Sequence, residues 1–452
     1  MQSPRYPERR EIDPADHAIV IGAGIGGLLA ARVLSDRYRF VTVLDRDELP
    51  AGPAVRRGVP QGRQVHGLLA KGMEIMTELF PGLSDELEAA GVPSADLQAE
   101  MHWHIDGRLL RPGRSGLIGF GVSRALLEYV LRQRVGALGG VAVFGRCAVM
   151  GPLTTDDRSR VTGVTAQADG VEFTLEADLV VDAGGRGTRS PVWLERLAYQ
   201  PAEEEVLKVD LTYVSCEYER SPGDLDGRLG SAYGAYPGHP LGGFVLAQEG
   251  DRFLVGLSGW FGSLPPMDQY GMAAFADKLR APDIAELIRT KAPLGPPAKM
   301  KYPGSIRRRY ESLERFPAGY LVFGDALCSF NPFYGQGMTV AALEARILAQ
   351  MLDDGATPLA ARFFREAATM LDTPWGIAAS NDLRFGTVAG RRTARATLLG
   401  WYLNRYKAAA AIDPVLSGAF LRVTNLIAEP ASLLMPALIA RVLLARLRKR
   451  SG

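Results

Sequence analysis

The chain has 452 residues, 47% of them apolar and 23% charged, with a formal net charge of +2. That length predicts more than one core, and ordinary globular composition excludes a disordered or fibrous chain. Near-balanced charge leaves no electrostatic footprint for nucleic acid. Three widely spaced cysteines, Cys147, Cys216 and Cys328, make neither a disulfide framework nor a metal site and read as buried thiols in a reducing cytosol.

Residues 1–16 are polar and carry Glu8, Glu11, Asp13 and Asp16. They lack the apolar stretch of a signal peptide, so a cytoplasmic location is expected. No apolar run is long enough to span a membrane. Residues 17–21 read as a buried strand, and Gly22-Ala23-Gly24-Ile25-Gly26-Gly27 fits G-x-G-x-x-G. A helical stretch, a second apolar strand at 40–44, Asp45 and Arg46 follow. This is the order of a dinucleotide-binding unit. Gly22 permits the tight turn, Gly24 leaves room for a pyrophosphate, and Gly27 lets helix and sheet approach. The helix N-terminus offers unpaired N–H groups to phosphate. Asp45 is spaced to accept from ribose hydroxyls, which disfavours a 2′-phosphate there.

Residues 56–66 run Arg-Arg-Gly-Val-Pro-Gln-Gly-Arg-Gln-Val-His and include Arg57, Arg63 and His66. Val122-Ser123-Arg124-Ala125-Leu126-Leu127 opens a predicted helix. Residues 179–190 form an apolar strand entering a glycine turn, with Asp182, Gly184, Gly185, Arg186 and Ser190. Alternation over 206–218, with Leu207, Val209, Leu211 and Tyr213 on one face, predicts a half-buried strand. Strands at 243–246 and 253–257 are joined across Glu249-Gly250-Asp251. Phe244, Trp260 and Phe261 are candidates for an apolar substrate wall, with ordinary core packing as the alternative. No charged residue in this half stands out as a substrate anchor, which favours an apolar substrate. Next comes a short strand ending at Gly324-Asp325, then Asn331-Pro332-Phe333-Tyr334-Gly335-Gln336-Gly337-Met338 and a long helix over 339–352. The chain from 393 onward reads as helical and ends Arg446-Leu447-Arg448-Lys449-Arg450. Such a basic amphipathic end can touch a membrane weakly, or pack on the body with its charges in water.

These segments resemble the class A flavoprotein monooxygenases, the para-hydroxybenzoate hydroxylase superfamily, over residues 17–70, 120–132, 178–194 and 319–350. Residues 56–66 and 331–338 resemble a bacterial subgroup within it, the FAD-dependent polyene and polyether-type epoxidases. The resemblance implies an α/β fold: a Rossmann-like FAD-binding domain, an interleaved mixed-sheet substrate domain and a C-terminal helical segment. The expected boundaries are 1–80, 115–195 and 300–355 for the first, 81–114 and 196–299 for the second, and 356–452 for the helices. It implies that Asp325, after Gly324, meets the flavin ribityl chain, and that Pro332, Gly335, Gly337 and Met338 run beside the isoalloxazine ring. It also implies that Arg124 contacts FAD. Arg57 or Arg63 could meet the FAD phosphates. His66 could sit by the flavin, or be a hydrogen-bonded structural histidine.

The implied activity is insertion of one oxygen atom from O2 into an apolar natural-product-type substrate, by epoxidation or hydroxylation through a C4a-hydroperoxyflavin. Catalysis then belongs to the flavin, and no residue is assigned a catalytic role beyond His66 and Pro332 as flavin-face candidates. Where the family carries an Asp before Gly185, this chain has Gly184. That departure leaves the electron donor open between NADPH or NADH used directly and a separate flavin reductase. The other readings are a reductase of isoprenoid double bonds resembling geranylgeranyl reductase, a flavin halogenase, and a non-catalytic flavoprotein. Halogenases of this type carry Trp-x-Trp, whereas Trp103, Trp193, Trp260, Trp375 and Trp401 never fall two apart.

Overall fold

The computed structural model describes residues 16–390 and 392–448. The expectations for residues 1–15 and for Lys449 and Arg450 lie outside the described residues. A five-stranded parallel sheet runs in the order Tyr320–Val322, Leu179–Asp182, His17–Ile21, Phe40–Leu44, Val141–Phe144. The central strands are continuous apolar runs, as expected where both faces of a parallel sheet are covered. Ala18, Ile19, Val20, Val180 and Val181 are fully buried. Helix Ile25–Leu34 follows the first strand and packs against helices Arg124–Gly136 and Gly337–Asp353. A three-stranded antiparallel sheet, Cys147–Thr154, Val161–Ala168 and Val171–Glu176, abuts the parallel sheet. This is the Rossmann-like half.

The second half is an eight-stranded mixed sheet. Its order is Cys328–Ser329, Ala298–Arg308, Glu204–Glu219, Arg252–Trp260, Leu241–Gln248, Gly230–Tyr233, Met101–Ile105, Arg108–Leu109. The pairing of Gly230–Tyr233 with Met101–Ile105 is parallel, and the others are antiparallel. The strands expected at 243–246 and 253–257 are the cores of a longer hairpin, with Leu246 opposite Leu254 and Gln248 opposite Arg252.

The alternation expected over 206–218 holds only in part. Leu207, Val209 and Leu211 are buried on one face, but from Leu211 onward Thr212, Val214, Cys216 and Tyr218 are buried as well. The register slips between Lys208 and Leu211, where Asp210 has φ 39°. The bulge bends the strand and re-aims the side chains beyond it, and helices Gln269–Ala276 and Asp283–Thr290 share the core that covers the second face. The C-terminal segment is helical, with Leu359–Asp382, Ala394–Ala410, Pro414–Thr424 and Pro436–Arg448. None of the described helices is long and apolar enough to cross a membrane. All three cysteines are free and buried.

Candidate flavin site

One cleft of about 680 Å³ opens along the carboxyl ends of the parallel strands, within the usual size of a small-molecule site. The glycine turn forms its floor. Gly22 takes φ +100°, and a Cβ there would stand 2.7 Å from the Ala183 carbonyl oxygen. A Cβ on Gly27 would stand 1.8 Å from the Gly22 carbonyl oxygen, so only glycine lets the helix start so close to the strand. Gly24 is the N-cap of helix Ile25–Leu34, with no side chain bonding the first turn and no acid in it. Its N–H groups are left for an anion. Gly22, Gly24 and Gly26 line the cleft, while Gly27 is spent on packing beneath it.

Asp45 is buried at the end of the second strand. One oxygen accepts from Ala23 N at 2.7 Å and the other from Asp47 N at 2.8 Å. These bonds pin the carboxylate over the turn and leave lone pairs for a hydroxyl donor. Arg56 anchors it from behind. The Arg56 guanidinium is buried, with Nη1 3.1 Å from Asp45 and 3.2 Å from Asp47, and Nε donating to Glu128 at 2.6 Å. Burial opposes its charge, and the three carboxylates hold the guanidinium above its ordinary pKa. Arg57 is exposed on the cleft rim and Arg46 is likewise exposed there, but Arg63 is exposed and away from the cleft. Arg63 closes the short turn Pro60–Arg63, which points it outward. Nothing local separates Arg56 from Arg57. The i,i+4 spacing of Arg124 and Glu128 was a usable signal.

Ser123 caps helix Arg124–Gly136 by accepting from Leu126 N at 3.1 Å, which sets Arg124 as its first residue. Arg124 lies across the cleft from the glycine turn. Its Nη2 is 4.0 Å from where a Gly24 Cβ would be, and 3.6 Å from Glu128 Oε2. Its buried Nε has no hydrogen-bond partner among the described residues. A buried N–H donor does not stay unpaired without reason, and arginine keeps its charge. This orphaned donor above a bare glycine turn and an uncapped helix fits the diphosphate of a dinucleotide, so the residues present fit FAD.

After strand Tyr320–Val322, Gly324 turns at φ +67°, and its N–H donates to the buried Glu344 at 2.6 Å. Asp325 therefore faces the cleft, in the fields of Arg124 and Arg186; burial raises its pKa and the two cations oppose that. A Cβ on Gly337 would stand 3.4 Å from Asp325 Oδ1, and one on Gly335 (φ +64°) 3.0 Å from the Gly67 carbonyl oxygen. Pro332, Gly335, Gly337 and Met338 all line the cleft. Asn331 holds their turn by accepting from Phe333 N at 3.1 Å and from Tyr213 at 3.2 Å, and by donating to Asp382 at 3.2 Å. Tyr334 donates to the same Asp382 oxygen at 2.7 Å. The bulge in strand Glu204–Glu219 sits just ahead of Tyr213.

In the middle segment, Asp182 accepts from Gly184 N at 2.8 Å and from the Thr188 and Ser190 hydroxyls. It shapes the loop that carries Arg186, whose Nη1 donates to the Tyr302 hydroxyl at 3.0 Å. Asp182, Arg186 and Tyr302 also belong to the wall, and Tyr302 and Glu344 escaped the sequence reading. His66 lies on the wall, and its Nδ1 is 2.9 Å from the Gln64 carbonyl oxygen. Burial, aided by the charge of Arg124, lowers its pKa to about 4, so it is neutral.

The three aromatic wall candidates are not brought to this cleft. Trp260 is buried in a cluster with Val209, Leu211 and Tyr302, its ring 4.9 Å from Phe333. Phe261 packs 5.4 Å from Phe385. Phe244 sits mid-strand opposite Ala232 and Gly256, against the core of the second half. Apolar residues on a sheet covered on both faces go mostly into core, and the cleft meets the sheet instead at Met300, Lys301 and Tyr302.

Residues 20–79 match the NAD(P)-binding Rossmann-like domain family. Protein Rv3254 of Mycobacterium tuberculosis is 38% identical over 430 residues, covering 92% of this chain and 90% of its own. This chain belongs to the family of Rv3254. It is also 26% identical over 378 residues to the kynurenine 3-monooxygenase of Salinispora tropica, covering 76% of this chain and 75% of that one. Among solved structures, the flavin-dependent brominase Bmp2 superposes with a TM-score of 0.65 at 15% identity, covering 96% of this chain and 100% of that one. The fold is therefore that of FAD-dependent monooxygenase- and halogenase-type flavoproteins.

Proposed function

We propose that the protein is an FAD-dependent monooxygenase that carries one oxygen atom from O2 into an apolar small molecule, by epoxidation or hydroxylation. The observation that supports this is the meeting of three distant segments in one cleft: the 22–27 turn with Asp45, Arg124 with Asp325, and the 332–338 turn. The likeness to a kynurenine 3-monooxygenase points the same way. Bound FAD, once reduced, would supply the activation of O2.

The chain's own residues have separable tasks. The N–H groups at Gly24 and the unpaired Arg124 Nε would bind the diphosphate. Asp45 and Asp325 would accept from ribose and ribityl hydroxyls. The first residues of helix Gly337–Asp353, which line the cleft with no capping side chain, would favour negative charge on the flavin edge. His66 stays neutral, donates Nδ1–H to Gln64 O, and keeps Nε2 as an acceptor. Electrons would come from NADPH or NADH directly, or through a separate flavin reductase. The Rossmann turn is the place for FAD, so a nicotinamide donor would dock from the rim.

A second reading, halogenation, is favoured by the superposition on a brominase. One experiment separates the two. Holo-protein reduced without O2 is mixed with isotopically labelled O2, bromide and a panel of apolar alkenes and arenes, and the products are weighed. Label in an epoxide or phenol is the expected result. Oxygenated product without label overturns the reading, and brominated product supports the second one. Turnover without O2 would fit the reduction of isoprenoid double bonds. Arg124→Ala should weaken FAD binding about tenfold or more, since a charged hydrogen bond contributes about 1.5–3 kcal/mol. Unchanged affinity in a fluorescence titration would remove Arg124 from the site.

A further inference from the structure

The C-terminal helices leave apolar side chains in water that a packed helix would cover. Leu398 and Trp401 on helix Ala394–Ala410 are 67% and 53% exposed, and Leu443 and Leu444 on helix Pro436–Arg448 are 56% and 57% exposed. Leu434 and Met435, just before the second helix, are exposed as well. The two helices pack side by side, and Tyr402, next to Trp401, donates to the Leu433 carbonyl oxygen at 2.8 Å. Val442 and Ala445 take the inner side of the last helix, so Leu443 and Leu444 are not core residues held short of their place.

The charge of this region is as uneven as its hydropathy. Residues 391–452 carry eleven Lys or Arg and two Asp or Glu, in a chain whose net charge is +2, so the remainder of the chain is net acidic. One of the two acids, Asp413, is already paired with Arg441 at 2.8 Å. The Arg405 guanidinium lies 3.4 Å from the centre of the Trp401 ring. In sequence, Arg446, Arg448, Lys449 and Arg450 follow Leu444 closely. Exposed Leu, Met and Trp flanked by arginines, with no described helix able to cross a bilayer, is the chemistry of a surface that lies in the headgroup layer. An acidic protein partner would match the charge but would not call for bare leucines beside it. A second copy of the chain would bring like charge against like.

We propose that the face formed by helices Ala394–Ala410 and Pro436–Arg448 docks the protein on the surface of an anionic lipid bilayer. Apolar insertion and basic attraction act together there, as reversible anchoring requires of two weak signals.

The test is flotation of the full-length FAD-loaded protein with vesicles of phosphatidylcholine, with and without about one-third phosphatidylglycerol. The protein should float with the anionic vesicles, and much less with the neutral ones or in high salt. Leu443→Asp with Leu444→Asp should cut the floated fraction about tenfold while FAD content and melting temperature hold. Lys449→Gln with Arg450→Gln should shift binding toward lower salt. Tyr270→Asp, at an 86% exposed position outside these helices, should change nothing. No flotation with anionic vesicles overturns the proposal, as does equal flotation of the leucine variant. A dimer in lipid-free buffer that the leucine substitutions split would also overturn it, making the face a contact between copies.

Discussion

Glu344 shows how one residue couples the core to the cleft. It lies on the buried side of helix Gly337–Asp353, accepts from Gly324 N at 2.6 Å, and has its other oxygen unpaired. Burial pushes its pKa up to about 8, with Asp325 adding to the rise and the Gly324 bond opposing it. A carboxyl with a raised folded pKa favours the folded state at low pH. That advantage is lost progressively as pH rises from the unfolded value of 4.5 to about 8. Glu344→Gln keeps an acceptor for Gly324 N and removes the titration. The variant should therefore gain melting temperature over the native protein as pH rises from 5 to 8, in parallel thermal melts. A constant difference would mean that Glu344 is ionised in the fold. His66 has the opposite sign. Its pKa is lowered from 6.5 to about 4, so it weakens the fold as pH falls through that window.

At the scale of elements, the glycine turn and its helix are set by steric exclusion. Gly27→Ala would place a methyl 1.8 Å from the Gly22 carbonyl oxygen, with backbone as the neighbour and nothing flexible to yield. The first turn of helix Ile25–Leu34 would have to move off the strand, so the variant should lose FAD and several kcal/mol of stability. Gly52→Ala, where a Cβ meets nothing within 4 Å, is the control. Equal FAD content and equal melting temperatures in the two variants would refute this account. The turn was legible because its requirement is local. The bulge at Asp210 was not, since alternation predicts a face but not the partner strand that forces a slip.

Over the whole molecule, Arg56 is the tie between segments far apart in sequence. It joins the end of the second strand, through Asp45 and Asp47, to Glu128 on helix Arg124–Gly136. Removing one member of a buried ionic group leaves the others uncompensated, at a cost of about 3–5 kcal/mol. Arg56→Met should lower stability by that order in denaturant titrations, with or without FAD. Arg57→Met, on the exposed rim, should change stability by about 0.5 kcal/mol or less. If the two variants unfold alike, the buried cluster does not hold these segments together. The Tyr213–Asn331–Asp382–Tyr334 network is a second tie. It fastens the cleft's 332–335 turn to the end of helix Leu359–Asp382, outside the resembling segments.

The sequence by itself determined the Rossmann-like unit, because its first strand, glycine turn, helix and second strand follow one another directly in the chain. Gly22, Gly24 and Asp45 could be read from their spacing, whereas Gly324, Asp325 and Gly337 were reached through the family resemblance, and all six line one cleft. Tertiary structure alone decided which arginine is buried, that Trp260, Phe244 and Phe261 face core, and that Glu344 and Asp382 stand behind the site. Those outcomes depend on which segment lies across a gap, and burial, charge pairing and pKa are properties of that meeting rather than of either segment.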